Sequence, residues 1–321
     1  LEKESKPLKK YFSKDWWDNM RVHINDPLDK QATEKLASVR GVELTSQHYE
    51  KDELMKLMPE IEVLVVRSAT KVTADLIEAG KKLKIIGRAG TGLDNIDVEA
   101  AKAKGIKVIN TPGANSISVA ELTIGFMIAC SRHIARGTSD LKNGKWTKKE
   151  LEGHELFGRT VGIIGFGNIG REVAKRLAAF SMRILAYDPF VKESDLPVEI
   201  VDLETIYKES DYITVHVPLT PETKKLINKE TIDKMKDGVI IINAARGGIV
   251  DEEALYEGLK SGKIYAAGLD TFELEPPTDE LRQKLLALSN IVATPHIGAS
   301  TFEAQERVGM ILVERLIKEI A

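Results

Sequence analysis

The 321-residue sequence predicts an α/β protein with two doubly wound parallel sheets. Three observations carry that reading. From Met20 onward, short β-branched runs alternate with helical patterns, which implies parallel strands joined by crossover helices. The strand runs are apolar almost throughout, as expected where helices cover both faces of a sheet. The alternation also occurs twice, once up to Asn110 and again from Thr160.

The first series supplies strands at Val22–Ile24, Val42–Thr45, Val63–Arg67, Leu83–Ile86 and Lys107–Asn110, with helical patterns at Asp29–Val39, Thr73–Ala79 and Val98–Lys104. A long helix is expected over Ser118–Arg136, followed by a polar surface connection over Asp140–Gly158. The second series has strands at Val161–Ile164, Arg183–Tyr187, Tyr212–Val217, Val239–Asn243, Ile264–Leu269 and Ile291–Thr294, enough for a complete doubly wound sheet. A last helix is expected over Phe302–Ile320, with Val308, Ile311, Leu312, Leu316 and Ile320 at helical spacing.

Composition excludes several classes. Apolar residues are 43% and charged residues 30%, which is not the make-up of a disordered chain. With 46 basic and 49 acidic residues there is no cationic excess to neutralise a phosphate backbone, so no nucleic-acid partner is expected. The single cysteine, Cys130, excludes an internal disulfide framework and a cysteine metal cluster and reads as a buried thiol. No metal is expected. The apolar run Leu122–Cys130 is far shorter than the ~18 residues of a membrane span, and the first twenty residues are charged and lack an apolar secretory stretch. These features predict a soluble, cytoplasmic protein with no membrane partner. Leu1–Asn19, lysine-rich and carrying Trp16 and Trp17, reads as a leader or extension ahead of a fold that starts at Met20.

The strongest local signal is Gly165-Phe166-Gly167-Asn168-Ile169-Gly170. It follows the strand Val161–Ile164 and opens the helix Arg171–Phe180, the context that a dinucleotide turn requires. Gly165 permits the tight turn, Gly167 lets backbone approach a pyrophosphate, and Gly170 lets helix and strand pack closely. N–H groups near Asn168 and Ile169 then meet the phosphates. Asp188, eighteen residues after Gly170, ends the next strand. Its carboxylate suits ribose hydroxyls and repels a 2′-phosphate, and Pro189-Phe190 add no cation, which favours NAD over NADP.

Three later strand ends carry polar chemistry. In Asn243–Asp251, Arg246 directly follows a buried strand, and its planar guanidinium suits a carboxylate; Asp251 reads as a helix N-cap. Gly268–Pro277 offers three acids, Asp270, Glu273 and Glu275, among which spacing alone does not choose. In Thr294–Thr301, His296 has the best placement of the six histidines for proton transfer, while His216 ends a strand of the nucleotide half and suits a cofactor contact. Oxidising a secondary alcohol needs removal of the hydroxyl proton as hydride leaves carbon, work that a neutral imidazole oriented by a carboxylate can do.

From Met20 to Ala321 the sequence resembles the D-isomer-specific 2-hydroxyacid dehydrogenases. The carriers are VRSATKVTADLI at 66–77, GRAGTGLDNID at 87–97, NTPGANSISVAELT at 110–123, GFGNIG at 165–170, HVPLTPETKKLIN at 216–228, NAARGGIVDEEAL at 243–255, LDTFELEPP at 269–277 and TPHIGAST at 294–301. The resemblance implies a Rossmann NAD-binding domain over 117–298, inserted into a flavodoxin-like substrate domain of residues 20–116 and 299–321. It implies catalytic roles for Arg246, Glu275 and His296, and prefers Glu275 because it lies five residues after Asp270. Asp270, Ala244, Val217, Pro218, Thr223 and the His296–Gly298 turn would contact NAD, and Thr91 would reach the nicotinamide from the other domain. For the substrate, Ser68 and Gly90 would hold a carboxylate with Arg246 and His296, while Arg67 and Arg88 would meet a phosphate. Lys148 of a second copy is a further cation for it.

The implied reaction is NAD-dependent oxidation of 3-phospho-D-glycerate to 3-phosphooxypyruvate, the entry to serine synthesis. A glyoxylate or hydroxypyruvate reductase and a nicotinamide-sensing corepressor-like protein share the scaffold. The resemblance also implies a homodimer or dimer of dimers built on the long helix, whose apolar face could equally fill an intrachain core. No appended regulatory domain is expected after the last helix, and with it no feedback inhibition by serine.

Overall fold

The structure, a computed structural model, describes residues 19–320. Apart from Asn19, the segment read as a leader lies outside them. The described residues divide into two compact units: those up to Asn115 together with those from Phe302 onward, and Ser116–Thr301.

The first unit holds five strands, β1 (Met20–Ile24), β2 (Val42–Ser46), β3 (Val63–Val66), β4 (Ile85–Arg88) and β5 (Lys107–Ile109). They pair in the order β2-β1-β3-β4-β5, all parallel, which is the flavodoxin-like arrangement. Every residue of β3 is buried, because both sheet faces are covered. On one face Val22, Ile24, Val63 and Val65 meet Leu36 of α1 (Lys30–Ala37) and Leu312 and Leu316 of the C-terminal helix Phe302–Ile320. On the other, Leu64, Val66 and Ile86 meet α2 (Lys51–Leu57), α3 (Ala74–Ala79) and α4 (Val98–Ala103) through Leu54, Leu76, Ile77 and Ala101.

In the second unit, α5 (Ser116–Ser131) and α6 (Ile134–Lys142) precede the sheet. The strands are β6 (Thr160–Ile164), β7 (Arg183–Tyr187), β8 (Glu199–Ile200), β9 (Tyr212–Val215), β10 (Val239–Asn243), β11 (Ile264–Leu269) and β12 (Ile291–Ala293). Their order is β12-β11-β10-β9-β6-β7-β8, again all parallel. The chain runs outward from β6 through β7 to β8, then returns beside β6 as β9 and runs outward the other way. Doubly wound sheets take ligands at the carboxyl edge where the order reverses. The helices α7 (Asn168–Ala178), α8 (Leu203–Glu209), α9 (Lys229–Lys234), α10 (Glu252–Ser261) and α11 (Glu280–Leu286) complete two cores, one on each face. Val161 and Ile163 join the first, Ile164 and Ile213 the second. Asp202, Asn228, Asp251 and Asp279 cap four of these helices by accepting first-turn N–H groups.

Two expectations need correction. The single helix expected over Ser118–Arg136 is two helices, α5 and α6, meeting at 64°. The Ser131 carbonyl accepts the His154 N–H at 2.9 Å instead of continuing the helical ladder, and His133 takes a left-handed φ of +52°. The polar stretch Asp140–Gly158 correspondingly begins inside α6 and contains a short 3-10 turn, Lys148–Glu150. Much of the apolar surface of α5, including Val119, Ile124, Phe126 and Met127, fills the core of its own chain. Among the described residues, no single helix is long and apolar enough to cross a membrane. Cys130 is buried, and burial pushes its thiol up to about 12, leaving it unreactive at neutral pH.

Candidate active site

The glycine turn follows β6 directly. Gly165 has a φ of +95°, and a Cβ there would lie 2.6 Å from the His216 carbonyl oxygen. At Gly170 a Cβ would lie 2.2 Å from the Gly165 carbonyl oxygen, so α7 seats its first turn directly on the loop. At Gly167 a Cβ would meet no atom within 4 Å and would fill the approach to the start of α7, around Asn168 and Ile169, where no side chain caps the helix. Asp188 follows β7, and its carboxylate accepts the N–H of Phe166 at 2.9 Å and of Phe190 at 2.9 Å. The turn and the acid are therefore one hydrogen-bonded unit that fits a dinucleotide: backbone donors for the pyrophosphate, a carboxylate for the ribose. Asp188→Ala should weaken NADH binding and narrow the preference for NADH over NADPH, as read by fluorescence titration with each cofactor.

Beyond β9, the His216 Nε2 meets the Thr214 hydroxyl at 2.9 Å. Burial pushes its imidazole down to about 3, and its Nδ1 has no hydrogen-bond partner. Val217 packs at the Gly165 turn. Thr223 closes a turn by accepting the Thr220 N–H at 2.8 Å and donating to the Pro218 carbonyl at 2.6 Å.

Three strand ends converge on proton chemistry. His296 Nδ1 and Glu275 Oε2 are 2.8 Å apart, while Glu275 Oε1 accepts the Phe272 N–H at 3.0 Å. His296 has a left-handed φ of +52°, a conformation that costs about 1–3 kcal/mol unless its surroundings enforce it. Asp270 enforces it. Its backbone carbonyl accepts the His296 N–H at 2.8 Å, and its carboxylate takes the N–H groups of Ile297 at 2.7 Å and Gly298 at 2.8 Å and the Thr294 hydroxyl at 2.5 Å. Asp270 is buried and its carboxylate shapes the histidine turn, a role that the residue pattern did not disclose.

The hydrogen bond to Glu275 raises the His296 pKa above its ordinary value, against the effect of burial. Burial also opposes ionisation of Glu275, but the His296 ring and the Phe272 N–H outweigh it and hold the carboxyl below the usual range. Arg246 stands just beyond β10, after the buried Ala244. Asn243 shapes its loop by accepting the Ala245 N–H at 3.0 Å and donating to the Arg246 carbonyl at 2.9 Å. The Arg246 guanidinium donates to the Ala245 carbonyl at 2.7 Å, and its charge acts on both Glu275 and His296. Asn243 was not among the expected site residues, although a buried asparagine at a strand end is a readable signal.

In the first unit, Arg67 follows β3 and Arg88 ends β4. Asp26, buried and also missed from sequence, accepts the N–H groups of Arg67 at 2.7 Å and Thr70 at 3.0 Å, and so folds the loop that exposes Ser68. Asn95 donates to the Arg67 and Thr70 carbonyls, each at 2.7 Å. Arg67 donates to the Pro27 carbonyl at 3.2 Å. The Arg88 guanidinium folds over Gly90, where a Cβ would lie 1.3 Å from its Nη1. The Thr91 hydroxyl donates to the Asn115 side chain at 2.9 Å.

A sheet edge that seats a dinucleotide and carries an imidazole held by a carboxylate is that of a nicotinamide-dependent dehydrogenase. Residues 124–298 match the family model described as D-isomer specific 2-hydroxyacid dehydrogenase, NAD binding domain. The chain belongs to this family and uses NAD. It is 69% identical over 300 residues to a hydroxypyruvate reductase of Thermotoga maritima, covering 94% of this chain and 98% of that protein. It is 51% identical over 303 residues to a D-3-phosphoglycerate dehydrogenase of Methanocaldococcus jannaschii, covering 93% of this chain but only 57% of that protein. Among solved structures, the D-lactate dehydrogenase of Aquifex aeolicus, complexed with NAD and lactic acid, superposes with a TM-score of 0.81 at 32% identity, covering 92% of this chain and 94% of that one.

Proposed function

We propose that this protein interconverts hydroxypyruvate and D-glycerate. The observation that carries the proposal is the 69% identity to a hydroxypyruvate reductase over 98% of that protein's length. Bound NADH supplies the hydride for reduction, and bound NAD accepts it for oxidation. His296 gives its proton to the C2 oxygen as the carbonyl is reduced, and takes the hydroxyl proton in the reverse direction. Glu275 fixes the imidazole orientation and stabilises its charged form, and Arg246 holds the substrate carboxylate and polarises the carbonyl. Ala244, Val217, Pro218, Thr223 and Gly298 line the cofactor, with Asp270 acting through the His296 turn. The reading includes a homo-oligomer, supported by the exposed apolar side chains Ile134, Leu141, Trp146 and Phe157.

A second reading, oxidation of 3-phospho-D-glycerate, is favoured by two arginines at neighbouring strand ends of one unit. Arg67 and Arg88 would meet the phosphate, with Ser68 and Gly90 on the carboxylate. Following NADH absorbance with hydroxypyruvate, glyoxylate and 3-phospho-D-glycerate separates the two. The expected result is the largest kcat/KM with hydroxypyruvate, an order that Arg67→Ala combined with Arg88→Ala leaves unchanged. A larger kcat/KM with the phosphorylated substrate, reduced selectively by about tenfold or more in that double variant, replaces the first reading by the second.

A further inference from the structure

The Glu275–His296 pair rests on a peptide held from below by residues that touch neither of them. The Phe272–Glu273 peptide lies flush against Gly247, where a Cβ would stand 1.9 Å from the Phe272 carbonyl oxygen and 2.4 Å from the Glu273 nitrogen. Gly247 is the neighbour of Arg246, so the arginine loop and the acid loop meet backbone to backbone. The Glu273 N–H donates to Glu252 Oε1 at 2.7 Å. Glu252 Oε2 lies 2.7 Å from Arg282 Nε, and Arg282 also reaches Glu273 Oε2 at 3.2 Å and the Asp279 carboxylate. The Glu252 and Arg282 side chains are only 4% and 10% exposed. Burying an ion pair is costly and adds little net stability, so its presence calls for another account.

We propose that Glu252, Arg282 and Gly247 form a clamp of positioning residues that sets the register of Glu275 against His296 and of both against Arg246. The geometry is a relay of short contacts. Arg282 holds Glu252, Glu252 fixes the Glu273 N–H, and the adjoining Thr271–Phe272 peptide presents the Phe272 N–H that orients Glu275 toward His296. Arg282 gathers three acids from α10, the Asp270–Asp279 loop and the cap of α11, so it also ties the loop on either side of Glu275. Displacement of a reacting group by about 1 Å can cost up to about 100-fold in rate, so a clamp remote from the chemistry has kinetic weight.

The proposal rests on the reading that His296 moves the proton, and the experiment separates the two. The charged groups acting on His296 are Glu275, Asp270 and Arg246. The His296 titration is followed by NMR of histidine-labelled protein, assigned with His296→Ala. It is compared with the pH profile of kcat/KM for wild type, Glu252→Gln, and the double variant Glu252→Leu with Arg282→Met. The double variant removes the buried pair as a unit and leaves no lone buried charge. Its folding is checked by circular dichroism and Tm. The expected result is a folded double variant with kcat lowered about 10- to 100-fold, unchanged NADH affinity, and a His296 pKa moved back down toward the ordinary histidine value. Glu252→Gln keeps an acceptor for the Glu273 N–H and retains most of the wild-type titration. A folded double variant with wild-type kcat and His296 titration overturns the clamp. A wild-type pH profile that ignores the His296 titration contradicts the proton-transfer reading instead, and the NMR comparison still decides the clamp.

Discussion

Replacing His296 by alanine lowers kcat by about 10²- to 10⁴-fold, the usual contribution of a positioned acid or base, while NADH binds with wild-type affinity. The separation follows from where the residue sits. Its ring meets Glu275, and its backbone is fixed by Asp270. The glycine turn and Asp188 form a different hydrogen-bonded unit at β6 and β7. The pH profile adds a sign. Glu275 raises the His296 pKa above its ordinary value, and reduction needs the protonated ring. Reduction therefore stays fast at neutral pH and falls as pH rises through that raised pKa. Oxidation needs the neutral ring and falls as pH drops through the same value. In His296→Ala both limbs disappear from the residual rate. Stopped-flow NADH absorbance in both directions, with a fluorescence titration of NADH, measures all of this.

Arg246→Lys should cost nearly as much, about 10²- to 10³-fold in kcat/KM for the 2-oxo acid, with little change in the Kd of NADH. The charge survives this substitution, but the planar fork that suits a carboxylate does not. The loop leaves little room for compensation: Asn243 pins the Ala245 N–H and the Arg246 carbonyl, and Gly247 abuts the Phe272–Glu273 peptide. Lysine cannot recover the lost geometry by moving its backbone. Steady-state kinetics across hydroxypyruvate concentrations reads the effect, and rescue by added guanidinium would localise it to the missing fork.

The fold class was legible because its signals are local. Val63–Val66 and Val239–Ile242 are unbroken apolar runs, and in the structure every residue in each is buried. The features that escaped depend on distant contacts or on weak patterns. Helix α2 contributes a single buried side chain, Leu54, so its apolar period is too faint to read. Strand β8 has only two residues and pairs at the sheet edge. The break after α5 needs the His154 N–H to claim the Ser131 carbonyl, which no run of sequence around Ser131 announces. The site divides in the same way. Gly165, Gly167, Gly170 and Asp188 stand at spacings that a dinucleotide turn requires, and the structure joins turn and acid through the Phe166 N–H. His296 and Glu275, 21 residues apart in sequence, are brought together by the fold. The work of Asp270 involves partners 24 to 28 residues onward, and the Glu252–Arg282 pair bridges two helices. Chain topology sets such pairings; residue spacing does not display them.

The central claim is that the His296 imidazole, held by Glu275, delivers and removes the proton on the C2 oxygen of the substrate. A crystal structure of the complex with NAD and D-glycerate tests it most directly. The account predicts His296 Nε2 at about 3 Å from the C2 hydroxyl oxygen, with Nδ1 still on Glu275 and the Arg246 guanidinium on the substrate carboxylate. A complex in which another side chain meets that hydroxyl, with His296 out of hydrogen-bond reach, would contradict it.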